Sequence, residues 1–187
     1  HVVGVSPGTG VGGAVIIDGN LLRGARGCGA EIGHMIIQID GPRCGCGLYG
    51  DIEAMCSRSS LSKEAVHLAG TGQAPTIFEK AGTDYKKVKS SLFKKSIENG
   101  DEAIEKLVMR SAAHLGIGLG SLVTLFDPEV IVIGGGLVEK LGSLYVKKIR
   151  QSMLKHTINP FAKDINVVEA ELGDHAVFIG AISLLEE

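Results

Sequence analysis

The sequence has no tryptophan, and aromatic residues make up only 4% of it, whereas glycines number 27. That balance favours a fold of many tight turns and close backbone approaches. Cysteine is also scarce. Cys28, Cys44, Cys46 and Cys56 are too few and too unevenly placed for the disulfide framework of a secreted domain. A C-x-C pair in a reducing compartment points to a metal or to nothing. No apolar run approaches the ~20 residues that span a bilayer, and the start has no signal-peptide layout, so the expectation is a cytosolic protein. An excess of one charge is lacking too: the net charge is -2, and the lysine run from Lys86 to Lys95 is balanced by nearby acids. It reads as a solvated helix face, which excludes a broad basic surface for nucleic acid. An initiator methionine is absent, and His1-Val2-Val3 opens inside a strand, which suggests a fragment of a longer protein.

What is present suits one ordinary domain or a large lobe: 187 residues, 44% of them apolar, are enough for a real core. Val2 to Val5 and Ala14 to Ile17 are β-branched apolar runs, and Asp18-Gly19 after the second is a hairpin signal. His34 to Ile39 is another strand candidate, followed by a turn-forming stretch from Gly41 to Gly50. Ile52 to Cys56 and Ser60 to Leu68 read as short helices, the second stopped by Gly70. Thr71 to Tyr85 is weakly patterned, with room for a loop and a short helix. Asn99 and Glu102 form a capping box for one long buried helix, whose apolar positions run at helical spacing from Ala103 to Val123. Phe126-Asp127-Pro128 ends it, and Val130 to Ile133 reads as a strand buried on both faces. Gly134 to Gly136 follow, then a helix from Leu137 to His156 in two pieces around Gly142. A strand at Val167 to Ala170 and a helix from His175 to Leu185 close the chain. The order predicts an α/β fold with a mixed sheet.

Three groups of residues carry candidate chemistry. Gly8, Gly10 and Gly13 satisfy G-x-G-x-x-G, but AVIIDGN follows, a strand and a hairpin turn. A pyrophosphate would have no helix N-terminus to rest on, so neither the context nor the geometry of a dinucleotide-binding turn is met. A P-loop fails as well, because no Gly-Lys-Ser/Thr ending is present. The stretch is either a turn whose backbone N–H groups and Thr9 hydroxyl make an anion-binding concavity, or a glycine bulge at a sheet edge. Glu31, His34 and Glu53 could together hydrogen-bond several hydroxyls, as a sugar requires; alternatively Glu31 is a cap and His34 a satisfied surface histidine. His34, Cys44, Cys46 and Asp51 have donor types and spacing suited to tetrahedral zinc; the bland alternative is two free cysteines in a tight turn.

Taken together these stretches resemble the ROK family of sugar kinases and sugar-responsive repressors, which includes bacterial glucokinases and N-acetylmannosamine kinases. The matching residues are GTGVGG (Gly8 to Gly13), AEIGHM (Ala30 to Met35), GPRCGCGLYGDIEA (Gly41 to Ala54), FDPEVIVIGGG (Phe126 to Gly136) and GDHAVFIGA (Gly173 to Ala181). They occur in the family's order and spacing. The resemblance implies a lobe of the actin-like ATPase fold, RNase H-like and of hexokinase type, with a mixed sheet flanked by helices and a zinc-knuckle-like loop. Residues 1–187 would be the C-terminal lobe, with the N-terminal lobe outside this chain. It implies ATP phosphates at Thr9, Gly10, Gly12 and Gly13, and adenosine against Gly134, Gly135 and Gly136. Sugar hydroxyls would meet Glu31, His34 and Glu53.

The same resemblance makes His34, Cys44 and Cys46 zinc ligands, but the family's knuckle usually reads C-x-C-G-x-x-G-C-x-E, and here Asp51 stands at the third cysteine. Zinc binds through Asp51 instead, or the site is weakened. The catalytic base and the Asp-x-Gly-Gly-Thr phosphate loop belong upstream of His1, so no catalytic residue is assigned within the chain. The implied activity is Mg²⁺- and ATP-dependent phosphorylation of a hexose, glucose foremost, at its 6-hydroxyl, by a homodimer. The rivals are the sensor half of a sugar-responsive repressor and a degenerate sugar-binding module.

Overall fold

The computed structural model describes residues 1–158, 164–173 and 175–183. Strand β1 (Val2–Pro7) turns at Gly8 to Gly10 and returns as β2 (Val11–Ile17) in antiparallel register, Val5 opposite Gly13 and Pro7 opposite Val11. Val3, Val5, Val11 and Val15 face the core, as the alternation of apolar residues requires. Asp18 and Gly19 both take positive φ, 51° and 78°, the two-residue turn that an Asp-Gly pair favours, and a short β3 (Asn20–Leu21) follows. Strands β4 (Val130–Ile133) and β5 (Asn166–Glu169) join in parallel on the other side of β1, giving the order β3-β2-β1-β4-β5. The expected mixed sheet is therefore present. The carboxyl ends of β1, β4 and β5 meet along one edge, where open α/β sheets form their binding crevice.

The helices are α1 (Ile52–Cys56), α2 (Arg58–Gly70), α3 (Pro75–Ala81), α4 (Ser90–Glu98), α5 (Glu102–Phe126), α6 (Gly136–Leu141), α7 (Ser143–Lys155) and α8 (His175–Ser183). Helix α5 runs through the core with Ile104, Leu107, Val108, Ala112, Leu115, Leu119 and Leu122 buried. Its glycines let α7 approach closely: a Cβ on Gly116 would sit 2.5 Å from the Ile149 carbonyl, and one on Gly120 2.7 Å from that of His156. By length and composition α5 is, among the described residues, the one helix able to cross a membrane, contrary to the expectation that no such run exists; but 61% of its apolar window is buried inside the protein, as in a core helix.

Several local expectations need correction. His34 to Ile39 is not a strand: residues Ile32–His34 form a 3-10 turn, and the segment's only ladder contact among the described residues is a single bridge between Ile36 and Asp51. Ile36 and Ile39 are exposed, so no sheet face draws the segment straight. The capping box does not form. Asn99 ends α4, and Asp101 at the start of α5 turns its carboxylate to the Ser96 hydroxyl at 2.5 Å and the Thr76 amide at 3.1 Å. Helix α2 continues through Gly70, and the left-handed residue after it is Gly72. In β4 only Ile131 and Ile133 are fully buried, because Val132 lines an open cleft. Asp127, left-handed at φ 43°, ends α5 before Pro128 as expected, and Gly142 does divide α6 from α7. The expected C-terminal end of the last helix, at Leu185, lies outside the described residues.

Candidate functional site

At the carboxyl edge of the sheet a cleft of about 460 Å³ opens between two glycine-rich segments. Gly12 and Gly13 on β2 form one wall, Gly134 and Gly135 after β4 the other, and Val132, Val138 and Ala170 supply apolar surface. Four of the glycines expected at a nucleotide, separated by more than 120 positions in sequence, thus share one cavity. Thr9, Gly10 and Gly136 lie outside its lining. Gly135 has φ 86°, and a Cβ there would lie 2.7 Å from Ser6 Oγ and 2.9 Å from the Pro7 carbonyl, so the β4–α6 turn can pack on the end of β1 only as glycine. Two acids that sequence reasoning did not single out, Glu139 and Glu169, also line this cleft. Glu169 ends β5, and its place at a strand's carboxyl end is the signal that could have found it.

The turn Gly8 to Gly10 leans on the start of α2. Gly8 N–H donates to the Gly10 carbonyl at 2.9 Å, and the Gly8 carbonyl accepts from the Arg58 amide at 2.8 Å. The Arg58 guanidinium donates to Thr9 Oγ1 at 2.6 Å, and Ser59 Oγ donates to the Thr9 carbonyl at 2.6 Å. A cation therefore stands beside the expected phosphate-facing turn. No local signal in the sequence connects Arg58 to a residue 49 positions away.

The carboxylate of Glu53, on α1, ties this turn to the knuckle. Its Oε2 accepts from the Val11 amide at 2.9 Å, and its Oε1 accepts from the Cys44 thiol at 3.6 Å. A Cβ on Gly10 would lie 2.3 Å from Glu53 Oε2, so Gly10 leaves the room that this carboxylate occupies. His34, at the end of the 3-10 turn, presents Nδ1 to Asp51 Oδ2 at 3.1 Å, and its side chain is 33% exposed. The hydrogen bond to Asp51 raises the His34 pKa, burial opposes it, and the charges of Glu53, Asp51 and Glu31 add to the rise. Glu31 is exposed at the first position of that turn and makes no capping bond. Glu31 and Glu53, expected with His34 at a sugar, are thus close enough for their charges to act on its imidazole, whose Nδ1 is turned toward Asp51 and whose Nε2 has no protein partner among the described residues.

The knuckle gathers His34, Cys44, Cys46 and Asp51 so that one ligand atom from each lies within 4.8 Å of the others. Cys46 Sγ is 3.5 Å from Asp51 Oδ2, and Cys44 Sγ is 3.9 Å from His34 Nδ1. A tetrahedral zinc ion with bonds of about 2.0–2.3 Å holds its ligands roughly 3.3–3.8 Å apart, so only a small contraction is required. The donor set, one imidazole, two thiols and a carboxylate, fits zinc. Asp51 is fully buried and caps α1 by accepting from the Ala54 amide at 2.7 Å. Its burial would raise its pKa, but hydrogen bonds from Cys44, Ala54, His34 and Cys46 outweigh burial and hold it below the ordinary carboxylate value. Burial, with Asp51 beside it, pushes the Cys44 thiol up to about 12.

The model of the ROK family matches residues 1–187. Over 187 residues the chain is 29% identical to a glucokinase of Thermotoga maritima, covering all of this chain and 58% of that protein. It is 27% identical over 181 residues to a xylose repressor of Caldicellulosiruptor bescii, covering 97% of the chain and 45% of the repressor. Among solved structures, a ROK family glucokinase from Streptomyces griseus in complex with glucose and AMPPNP superposes with a TM-score of 0.84 at 31% identity, over 98% of this chain and 59% of that one. The chain thus spans about half to three-fifths of the length of these relatives.

Proposed function

The chain belongs to the ROK family, and we propose that the protein containing it is a cytoplasmic, ATP-dependent sugar kinase that phosphorylates a hexose, glucose foremost, at its 6-hydroxyl. The observation that carries this reading is the placement of two sites against one another. The glycine-walled cleft suits a nucleotide, the Glu31–His34–Glu53 group suits sugar hydroxyls, and the Glu53–Val11 hydrogen bond joins the second to the turn that borders the first. The Streptomyces griseus relative was solved with glucose and AMPPNP, the two ligand classes these sites would take.

In this reading residues 1–187 are the C-terminal lobe of an actin-like pair. Phe178 and Ile182 on α8 stay 70% and 58% exposed, which supports a further lobe against that face. The adenosine would lie between Gly12–Gly13 and Gly134–Gly136, and the phosphates would reach Thr9 and Gly10, with Arg58 supplying positive charge. Phosphoryl transfer needs mostly positioning and charge neutralisation. Glu31, Glu53 and His34 Nε2 would hold the sugar by its hydroxyls, directing the 6-hydroxyl oxygen in line with the γ-phosphorus. That oxygen's proton passes to a carboxylate base outside this chain. Zinc on His34, Cys44, Cys46 and Asp51 would fix the knuckle and the orientation of the His34 ring, a structural role. The family reading also supports a homodimer.

A second reading, the sensor half of a sugar-responsive repressor, is favoured by the likeness to the xylose repressor. The test is ATP-dependent phosphorylation of glucose, N-acetylmannosamine and other hexoses by the full-length protein. Turnover of any of them supports the kinase. No turnover, together with sugar-dependent operator binding through an upstream helix-turn-helix, replaces it with the repressor.

A further inference from the structure

A second cavity, of about 580 Å³, lies beside the knuckle between α1, α2 and α5, and none of the residues assigned above to sugar, nucleotide or metal lines it. Its wall gathers Arg43 from the knuckle, Lys63 from α2 and Arg110 from α5 around a single carboxylate, Glu64. Glu64 is already paired with Arg110. The Lys63 ammonium stands 5.8 Å from the centroid of the Tyr85 ring, and Arg43 has no acidic partner among the described residues. His114, one turn beyond Arg110 on α5, also lines the wall; burial, then the charge of Arg110, lower its pKa, while Glu64 opposes them, so it adds nothing to the positive charge counted here. A concave site with a surplus of two positive charges attracts and concentrates anions.

We propose that this cavity is a binding site for a phosphate monoester, a small phosphorylated metabolite, separate from the sugar and nucleotide sites. A phosphate is favoured over a carboxylate because the Arg43 guanidinium, which no described acid engages, can take a pair of its oxygens while Lys63 offers a point charge to a third. Its charge also matches the surplus. The volume leaves room for the body of a sugar-sized ester, since small-molecule pockets run to about 300–1,000 Å³, and Gln38 and Ser60 on the wall offer polar contacts to it. Arg43 pairs with Tyr49 across the knuckle and precedes Cys44, so an occupant that holds Arg43 steadies the loop carrying the metal cluster.

The test is calorimetric titration of the full-length protein with inorganic phosphate and, separately, with glucose 6-phosphate, each with and without saturating glucose and AMPPNP. Saturable binding of one ligand per chain that survives glucose and AMPPNP is expected. It should weaken at least about tenfold in the Arg43→Gln/Arg110→Gln double variant, as the loss of charge-assisted hydrogen bonds implies. Tighter binding of inorganic phosphate identifies free phosphate as the ligand; tighter binding of the ester identifies a sugar phosphate. The single variant Arg43→Gln, on an exposed turn, repeats the measurement if the double variant does not fold. No saturable binding of either probe, binding unchanged in the variants, or binding abolished by glucose and AMPPNP overturns the proposal.

Discussion

Replacing Gly10 by alanine tests the link between the two sites. The new methyl group would fall 2.3 Å from Glu53 Oε2 and 3.2 Å from its carboxyl carbon, so the carboxylate must leave. It then gives up the 2.9 Å hydrogen bond from the Val11 amide and the contact with Cys44. A hydrogen bond to a charged group contributes about 1.5–3 kcal/mol, and on the proposed reading a displaced Glu53 is also misaligned for a sugar hydroxyl. At about 1.4 kcal/mol per factor of ten, kcat/KM for the sugar should fall about 10- to 100-fold. The assay is steady-state kinase turnover of the full-length protein, varying sugar and ATP separately. Gly12→Ala is the contrasting variant: a Cβ there meets nothing within 4 Å, yet Gly12 lines the cleft proposed for the nucleotide, so its effect should appear in KM for ATP. The reasoning is refuted if Gly10→Ala leaves the sugar parameters unchanged, or if it alters only KM for ATP in a protein with a normal melting temperature.

Metal analysis of the purified protein should find about one zinc per chain, and Asp51→Ala should abolish it; well under one zinc in the natural protein rejects the four-ligand site. In chelator-treated protein, the Cys44 thiol, raised to about 12 by burial and Asp51, stays protonated at neutral pH. It should therefore alkylate far more slowly than the exposed Cys28. Mass spectrometry of iodoacetamide-treated samples would count against this if Cys44 labels as fast. Gly116→Ala pushes a methyl into the Ile149 backbone and should destabilise by about 1–3 kcal/mol in urea titration. Gly70→Ala, in a helix with open space around it, should be neutral or stabilise by up to about 1 kcal/mol. Equal effects from the two would refute the packing argument.

The regular elements were legible wherever local pattern and tertiary demand agree. The β1–β2 hairpin, the division of α6 from α7 at Gly142, and the long α5 follow from alternation, turn residues and helical spacing. Failures fall where long-range contacts override a local signal. Asn99 and Glu102 have the spacing of a capping box, but the Asp101 carboxylate between them is claimed by Ser96 and Thr76, which leaves Asn99 to end α4. His34 to Ile39 has the composition of a strand, yet the Ile37 and Gln38 amides both donate to the Gly50 carbonyl, so the segment closes the knuckle instead of joining the sheet.

The candidate site divides along the same line. That His34, Cys44, Cys46 and Asp51 could meet was readable because 18 residues hold all four, and short loops leave few alternatives. That Gly12 and Gly13 share a cleft with Gly134 and Gly135 was not derivable from spacing; it depends on β4 pairing in parallel with β1, and only the family resemblance anticipated it. Arg58 and Glu169 were missed because neither belongs to a motif. The role of Gly10 changes most. As part of a glycine pattern it suggested backbone approach to a phosphate, whereas in the structure the Glu53 carboxylate lies against it, in the space a Cβ would take. One glycine thereby couples the turn beside the cleft proposed for the nucleotide to a residue expected at the sugar, and for that reason Gly10→Ala and Gly12→Ala, two positions apart, should impair different substrates.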